Sequence, residues 1–177
     1  MPNLYSTPFV SVTPFSHNAL GDKFASLGNE MNNEASTAWP SANLAIYAPF
    51  YLIAPFTIQQ FFWLNGITIS GNVDMGVFDH AGRKIASTGS TLQAGASAIQ
   101  SVSITPVTLG SGLFFLGLAV DNVTATVFGV PAGNIGFTVA VGVLQQATAF
   151  PLPALATFAS PTFDFVPSCG ITTRSFI

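Results

Sequence analysis

The alternation of apolar and polar positions marks the middle of the chain as a series of short strands. Val73, Met75 and Val77 alternate with polar or small residues, which is the period of two expected of a half-buried strand. Residues 44–52 and 56–64 are rich in aromatic and β-branched side chains, and a proline between them interrupts any continuous element. These runs predict three strands in the first half of the chain.

Turn residues separate these runs and indicate where further strands begin. Residues 79–82 contain the Asp and Gly of a tight turn, so residues 83–88 are predicted to return as a hairpin partner. Further strands are predicted at 99–105, 113–120 and 124–130, the second of them apolar on both faces. Short strands separated by Gly, Pro and Asn are typical of all-β proteins, and we predict an antiparallel β-sandwich of jelly-roll-like form.

The second aromatic run carries apolar side chains on both of its faces. Strict alternation sends Ile58, Phe62 and Leu64 to one face. It sends Phe61 and Trp63 to the other. The outer face of an antiparallel sandwich is usually solvated, so such a strand needs a cover on its second face. Either the chain's own end segments or a neighbouring subunit could supply that cover.

The distribution of proline divides the chain into three parts. Residues 1–38 are irregular and contain Thr-Pro-Phe twice, which predicts an N-terminal arm. Residues 39–140 form the predicted sandwich domain. Residues 141–177 are rich in Pro and Phe and too apolar for a disordered tail, which predicts an extended C-terminal arm. Two roles stay open for this arm: it docks on partner molecules, or it wraps its own domain.

The composition indicates a protein that forms part of a larger assembly. Charged residues make up 6% of the chain, against roughly 25% in ordinary soluble domains. A soluble monomer normally keeps more charge on its surface, so we predict that copies of the chain or other proteins cover part of it. With four basic residues and a net charge of −3, the chain lacks the basic patch that nucleic-acid binding requires.

The cysteine content and the first residues indicate the compartment. Cys169 is the only cysteine, so an internal disulfide is excluded, and the first residues lack the basic start and apolar run of a signal peptide. Between Glu34 and Asp74 no charged residue occurs, but proline and glutamine interrupt the apolar stretch. This pattern favours strands over a membrane-spanning helix. We expect the protein to fold in the cytoplasm and not to bind membranes.

Few side chains are placed for catalysis or metal binding. His17 and His80 have no cysteine or second histidine at the spacing of a zinc site. Four aspartates are scattered along the chain, and two of them follow predicted strands, where turn capping is favoured over calcium binding: Asp74, Asp79, Asp121 and Asp164. No nucleophile elbow, phosphate loop or opposed pair of acids is evident. We predict no enzyme activity, no catalytic residue, no metal and no cofactor.

Five aromatic residues are the candidates for a binding surface. Trp39, Tyr47, Tyr51, Phe61 and Trp63 are predicted to lie at a subunit interface or on a platform that stacks against sugars. Packing in the core or at an interface is favoured over sugar stacking. Exposure of Trp39 or Trp63 would support the sugar-binding alternative.

Three stretches of the predicted sandwich form a recognisable pattern: Ser70–Asp79, Ala86–Thr91 and Leu109–Leu116. Through these stretches, residues 39–128 resemble a β-sandwich module of tailed-bacteriophage virion proteins. Modules of this kind are found on tail fibres, head fibres and capsid decorations, usually as oligomers, and they bring no catalytic residues. The resemblance therefore implies a structural protein of a virion that is assembled in the host cytoplasm.

These expectations lead to a prediction about function. We predict a capsid decoration or cement protein that forms a homotrimer and binds other virion proteins such as the major capsid protein. A compact domain with apolar arms and little charge fits this role. The alternative is a tail-fibre or head-fibre binding module that recognises host surface glycans.

Overall fold

Antiparallel strands make up almost all of the regular structure. The computed structural model describes residues 23–25, 35–131 and 133–173. The strands in these ranges are β1 (Lys23–Ala25), β2 (Ala35–Ala38), β3 (Leu44–Leu52), β4 (Phe56–Leu64), β5 (Asn72–Asp79), β6 (Lys84–Ser87), β7 (Thr91–Leu92), β8 (Ile99–Leu109), β9 (Gly112–Val120), β10 (Thr126–Pro131), β11 (Leu144–Gln146), β12 (Phe165–Pro167) and β13 (Cys169–Thr172), and the helix is α1 (Ile135–Ala140).

The described strands assemble into three sheets. The front sheet has the order β1-β13-β4-β8, the side sheet β12-β10-β2, and the back sheet β11-β3-β9-β5-β6, with β7 also paired to β5. All of these pairings are antiparallel. The predicted all-β antiparallel sandwich is therefore confirmed, whereas the jelly-roll-like form stays a prediction.

The main core lies between the front and back sheets. The back sheet contributes Ile46, Phe50 and Leu118, and the front sheet contributes Phe61 and Trp63, all of them fully buried. Burial of each such side chain stabilises the fold by about 1.5–3 kcal/mol. The aromatic runs that predicted β3 and β4 are therefore the two walls of this core.

An irregularity in β4 changes the alternation of its side chains. Ile58 pairs with Val107, but Gln60 pairs with Ser103, so the register with β8 shifts between these positions. A bulge of this kind lets side chains on either side of it point to the same face of the sheet. The apolar residues before and after the bulge consequently both face the core.

The predicted grouping of the β4 side chains is wrong for this reason. Ile58 lies in the same core cluster as Phe61 and Trp63, and not on the face of Phe62 and Leu64. The latter two are half-buried. Strict alternation fails because the irregularity in the pairing with β8 cannot be read from the sequence of β4.

Residues 149–158 cover the outer face of the back sheet. Phe158 packs its ring against Tyr47 at a centroid distance of 5.1 Å and against Phe115 at 4.7 Å. Leu152 joins the same buried cluster. The chain itself thus covers the second apolar face of β9. Of the two roles left open for the C-terminal arm, its described part wraps its own domain.

A buried carboxylate fixes this covering segment to the back sheet. Asp74 accepts hydrogen bonds from the Leu152 amide at 2.9 Å and the Thr88 hydroxyl at 3.3 Å, and Lys84 Nζ donates to the Leu152 carbonyl at 2.7 Å. Burial raises the pKa of Asp74, although these hydrogen bonds and the charge of Lys84 oppose the shift. Burial and the neighbouring Asp74 also raise the pKa of Tyr47.

The raised pKa of Asp74 predicts a pH-dependent stability. Because the folded state disfavours the ionised carboxyl, the contribution of Asp74 is fully present below the unfolded pKa of about 4 and is lost as the pH rises through the folded pKa. Asp74→Asn removes this dependence. In urea titrations from pH 4 upwards, the wild type is therefore expected to lose stability relative to Asp74→Asn. The exposed Asp164→Asn controls for net charge, and a pH-independent difference between wild type and Asp74→Asn would contradict the prediction.

The last described strands are integral parts of the sandwich. β13 lies between β1 and β4 in the front sheet and places Cys169 opposite Trp63. β12 pairs with β10 in the side sheet. The folded body therefore extends past residue 140, where the sequence predicts its end. Of the predicted N-terminal arm, β1 and β2 join the front and side sheets, and the other residues of 1–38 lie outside the described part.

The helix α1 is not predicted by the sequence. It spans six residues, which is too short to show a periodic pattern. Within the described ranges, no helix is long and apolar enough to cross a membrane.

A candidate interaction surface at the loop end

Three connections meet at one end of the sandwich. We call them together the loop end: residues 65–71, 92–98 and 121–126. Backbone hydrogen bonds join them, from Gly66 to Thr126 at 2.9 Å, from Ser97 to Gly66 at 2.8 Å and from Gln93 to Gly71 at 3.0 Å. Residues 65–71 are therefore bonded to both of the other loops.

Asn65 connects the loop end to the core. Its side-chain oxygen accepts a hydrogen bond from the Trp63 indole at 2.8 Å, and its amide donates to Ala94 at 2.6 Å and Gln100 at 3.0 Å. Its backbone amide donates to the Ala98 carbonyl at 3.0 Å. Since Asn65 is fully buried, these bonds replace those it would make with water.

Gln93 connects the loops to one another through its side-chain amide. It is buried, accepts a hydrogen bond from the Ser70 amide at 2.7 Å and donates to the Thr126 carbonyl at 2.9 Å. A buried amide that bonds to two loops fixes their separation, because breaking either bond leaves a polar group unsatisfied. The loop end is thus fixed by side chains as well as by backbone.

Asp121 and Asn122 complete the frame at the start of the third loop. The Asn72 amide donates to Asp121 at 2.9 Å, and the Asn122 amide donates to the Ser70 carbonyl at 2.9 Å. Partial burial acts to raise the pKa of Asp121, but hydrogen bonds from Asn122 and Asn72 hold it below its usual range. Gly71 has a φ of +64°, and a Cβ there would overlap both side chains. Only glycine suits this position.

Large aliphatic side chains project from this frame into solvent. Ile67 and Leu92 are each 67% exposed, and Val123 is 53% exposed. Asp121 is the only charged residue of the loop end. Exposed aliphatic side chains on fixed loops mark a surface whose burial by an apolar partner lowers the free energy.

A second, smaller apolar surface lies at the opposite end of the back sheet. There Tyr51 pairs with Leu113, whereas Leu44 and Val120 pair at the loop end. Tyr51 is 61% exposed and Ile53 is 83% exposed. We call Tyr51, Ile53 and Leu113 the far end.

The fold does not bring the five aromatic residues that were predicted to form a binding surface together on a single surface. Trp39, Tyr47, Phe61 and Trp63 are buried, and the Trp39 indole donates within the fold to the Leu44 carbonyl at 2.9 Å. They cannot stack against a sugar, because no face of their rings reaches solvent. Tyr51 is the one accessible member of the five.

Sequence reasoning did not identify the aliphatic residues of the loop end. Ile67, Leu92 and Val123 occur singly among turn residues, so no helix or strand periodicity draws attention to them. The available signal was the presence of Ile67 and Ile69 in a segment of Asn, Gly, Ser and Thr, where turns are usually polar.

Asp74, Asp79 and Asp121 have structural partners in this fold. Asp79 accepts hydrogen bonds from the Ala81 and Arg83 amides, both at 2.9 Å, which is the turn-capping role predicted for it. In the described part of the chain, no three His, Cys, Asp or Glu side chains lie close enough together to hold a metal ion.

Comparisons with known proteins do not alter this picture. No protein-family model matches the chain, and no curated protein matches it. The resemblance to virion modules therefore stays a prediction that rests on the residues quoted for it. The features that bear on function are therefore the two apolar ends and the edges of the sheets.

Proposed function

We propose that this protein is a structural subunit of a bacteriophage virion, an oligomeric capsid decoration or cement protein held in place by apolar contacts. One observation carries the proposal: the loop end presents exposed aliphatic side chains on loops fixed by hydrogen bonds. The role involves no catalytic residue, metal or cofactor.

The loop end suits a permanent contact with another protein. Full burial of an exposed aliphatic side chain is worth about 1.5–3 kcal/mol, and covering the exposed part of Ile67, Leu92 or Val123 contributes about half to two thirds of that. Association costs at least about 4 kcal/mol in lost freedom of movement, but loops that are already ordered add little to this cost. Many such contacts on a particle surface are expected to hold a shell of subunits firmly.

The partner that we assign to the loop end is the major capsid protein. A surface with one charge among three loops offers little for attracting a charged or soluble ligand at a distance. It is suited to a broad apolar contact in an assembled particle. Copies of the subunit, expected as a homotrimer, then cover neighbouring positions on the capsid.

The glycan-binding alternative has less support in this fold. Of the five aromatic residues that suggested it, Tyr51 alone is accessible. Sugar-binding sites usually combine an aromatic face with several polar groups, whereas Tyr51 stands beside Ile53 and Leu113. A glycan array with the purified protein tests this alternative directly.

Sedimentation with phage particles tests the capsid role. Particles from lysates that contain the protein are purified, stripped of it, and mixed with wild type, Leu92→Asp or Leu155→Asp. Leu92 lies in the loop end, whereas Leu155 is similarly exposed but lies outside it. Wild type and Leu155→Asp are expected to sediment with the particles, and Leu92→Asp is expected to stay in solution because burial of a charge is unfavourable.

Three results would contradict the proposal. Wild-type protein that stays in solution would exclude a capsid role, as would immunogold labelling that finds none of it on particles. Equal binding of all three proteins would show that the loop end is not the contact surface. Circular dichroism of each variant confirms that it is folded before the comparison is made.

A further inference from the structure

Strand β8 forms the free edge of the front sheet in the described part of the chain. It is eleven residues long and pairs with β4 on one side only. Edge strands expose a row of unpaired N–H and C=O groups, which favours pairing with another chain. Natural proteins usually block long edges with charges, prolines or bulges.

Three basic residues lie at two other edges of the sheets. β1 begins with Lys23, and β6 begins with Lys84, directly after Arg83. Both strands end their sheets in the described part. No charged residue occurs between Lys84 and Asp121, so the longest edge carries none. Three of the four basic residues thus lie at edges that pairing would extend, whereas no charge protects β8.

The first seven residues of β8 have the pattern of a pairing strand. Ser101, Ser103 and Thr105 are exposed, whereas Val102 and Ile104 alternate with them and pack against the core. Beyond Thr105 the strand is less suited to pairing. The bulge falls between positions 103 and 107, and the proline at 106 has no N–H to donate.

We propose that β8 is the docking edge for a second copy of this chain. Two β8 strands pair antiparallel across a two-fold axis and join two front sheets into one continuous sheet. An antiparallel pair of identical strands is self-complementary, because each residue i that meets residue j is matched by j meeting i. Without charges, no like charges are brought opposite each other.

The side chains around the edge fit this arrangement. On the outer face the hydroxyl groups of one copy stand against those of the other, and on the inner face Val102 and Ile104 of the two copies meet. Ile99, at the start of β8, is 56% exposed. Gln100 donates a hydrogen bond to the Leu92 carbonyl at 2.8 Å, so this edge begins beside the loop end.

This inference goes beyond the capsid role, because it concerns the contact between copies in whatever particle they occupy. A two-fold contact gives dimers in solution. If the copies also form the predicted trimers, the same contact joins one trimer to the next.

Sedimentation equilibrium over a range of concentrations tests the proposal. Wild type is expected to show the mass of a dimer or of another oligomer with an even number of copies. Ser101→Lys places a charge on the pairing edge of each copy, and dimerisation brings both charges into one sheet, so the dissociation constant is expected to rise at least tenfold. The matched control is Ser111→Lys, an exposed serine in the turn after β8, which is expected to retain the wild-type mass.

Cross-linking identifies the contact independently of the charge variant. With a short bismaleimide, Ser101→Cys is expected to give a covalent dimer on a denaturing gel, whereas Ser111→Cys is expected to give no cross-linked product, since Cys169 is buried in both. A monomeric wild type at high concentration, or Ser101→Lys with unchanged self-association, would overturn the proposal. Neither result would affect sedimentation with capsids, so the two proposals can fail separately.

Discussion

A chain that ends at Ala140 is expected not to fold. The truncation removes β13 from the interior of the front sheet, so β1 loses its only described neighbour and β4 loses one of its two. It also removes the cover of the back sheet and several side chains of the two buried clusters: Leu152, Phe163, Phe165, Val166 and Ile171.

The size of the effect follows from the burial of those side chains. At about 1.5–3 kcal/mol each, five of them contribute roughly 8–15 kcal/mol, which is comparable to the whole stability of an ordinary domain, about 5–15 kcal/mol. Circular dichroism and thermal unfolding measure the outcome. A truncated protein with native-like spectra and a cooperative transition would show that residues 39–140 suffice, as the sequence-based domain boundary predicts.

The second large effect is expected from Trp63→Ala. Trp63 is fully buried between the sheets, and its indole donates to Asn65 at 2.8 Å. The cavity costs about 3–5 kcal/mol, and the lost hydrogen bond loosens the residue that connects the core to the loop end. Tyr51→Ala is the matched control, because Tyr51 is largely exposed; a change within about 0.5 kcal/mol is expected for a surface site.

Urea unfolding of both variants measures the difference in the free energy of unfolding. Trp63→Phe retains most of the ring volume and is expected to lie between wild type and Trp63→Ala. If Trp63→Ala were as stable as wild type, or Tyr51→Ala as unstable as Trp63→Ala, the assignment of these two residues to core and surface would be wrong.

The strands were predictable because their signals are local. The runs at 44–52 and 56–64 coincide with β3 and β4, and the alternation of Val73, Met75 and Val77 falls within β5. Period-two alternation and bounding turn residues report directly on a half-buried strand. The same local signals identified the turn at residues 79–82, which Asp79 caps.

Features that depend on distant partners were not predictable. The side-chain phase of β4 depends on a bulge opposite β8, and the cover of the back sheet depends on where Leu152 and Phe158 pack. Nothing in residues 149–158 alone distinguishes a segment that wraps its own domain from one that docks on another. Such arrangements are decided by tertiary packing, which a single sequence does not display.

The candidate site was missed for a related reason. Aromatic residues attract attention as binding groups, but Trp39 and Trp63 are large enough that burying them is strongly favourable. The exposed aliphatic residues of the loop end are notable only once the loops around them are known to be fixed. The edge at β8 becomes evident only from the strand order, since its sequence resembles that of any half-buried strand.

The position of β13 has a consequence for synthesis in the cell. β4 is made early, yet the neighbour that separates it from β1 is the last described strand to leave the ribosome. Until then the aromatic side chains of β4 are expected to stay exposed on the nascent chain, where chaperones can bind them. The front sheet is therefore expected to form only after β13 has been synthesised.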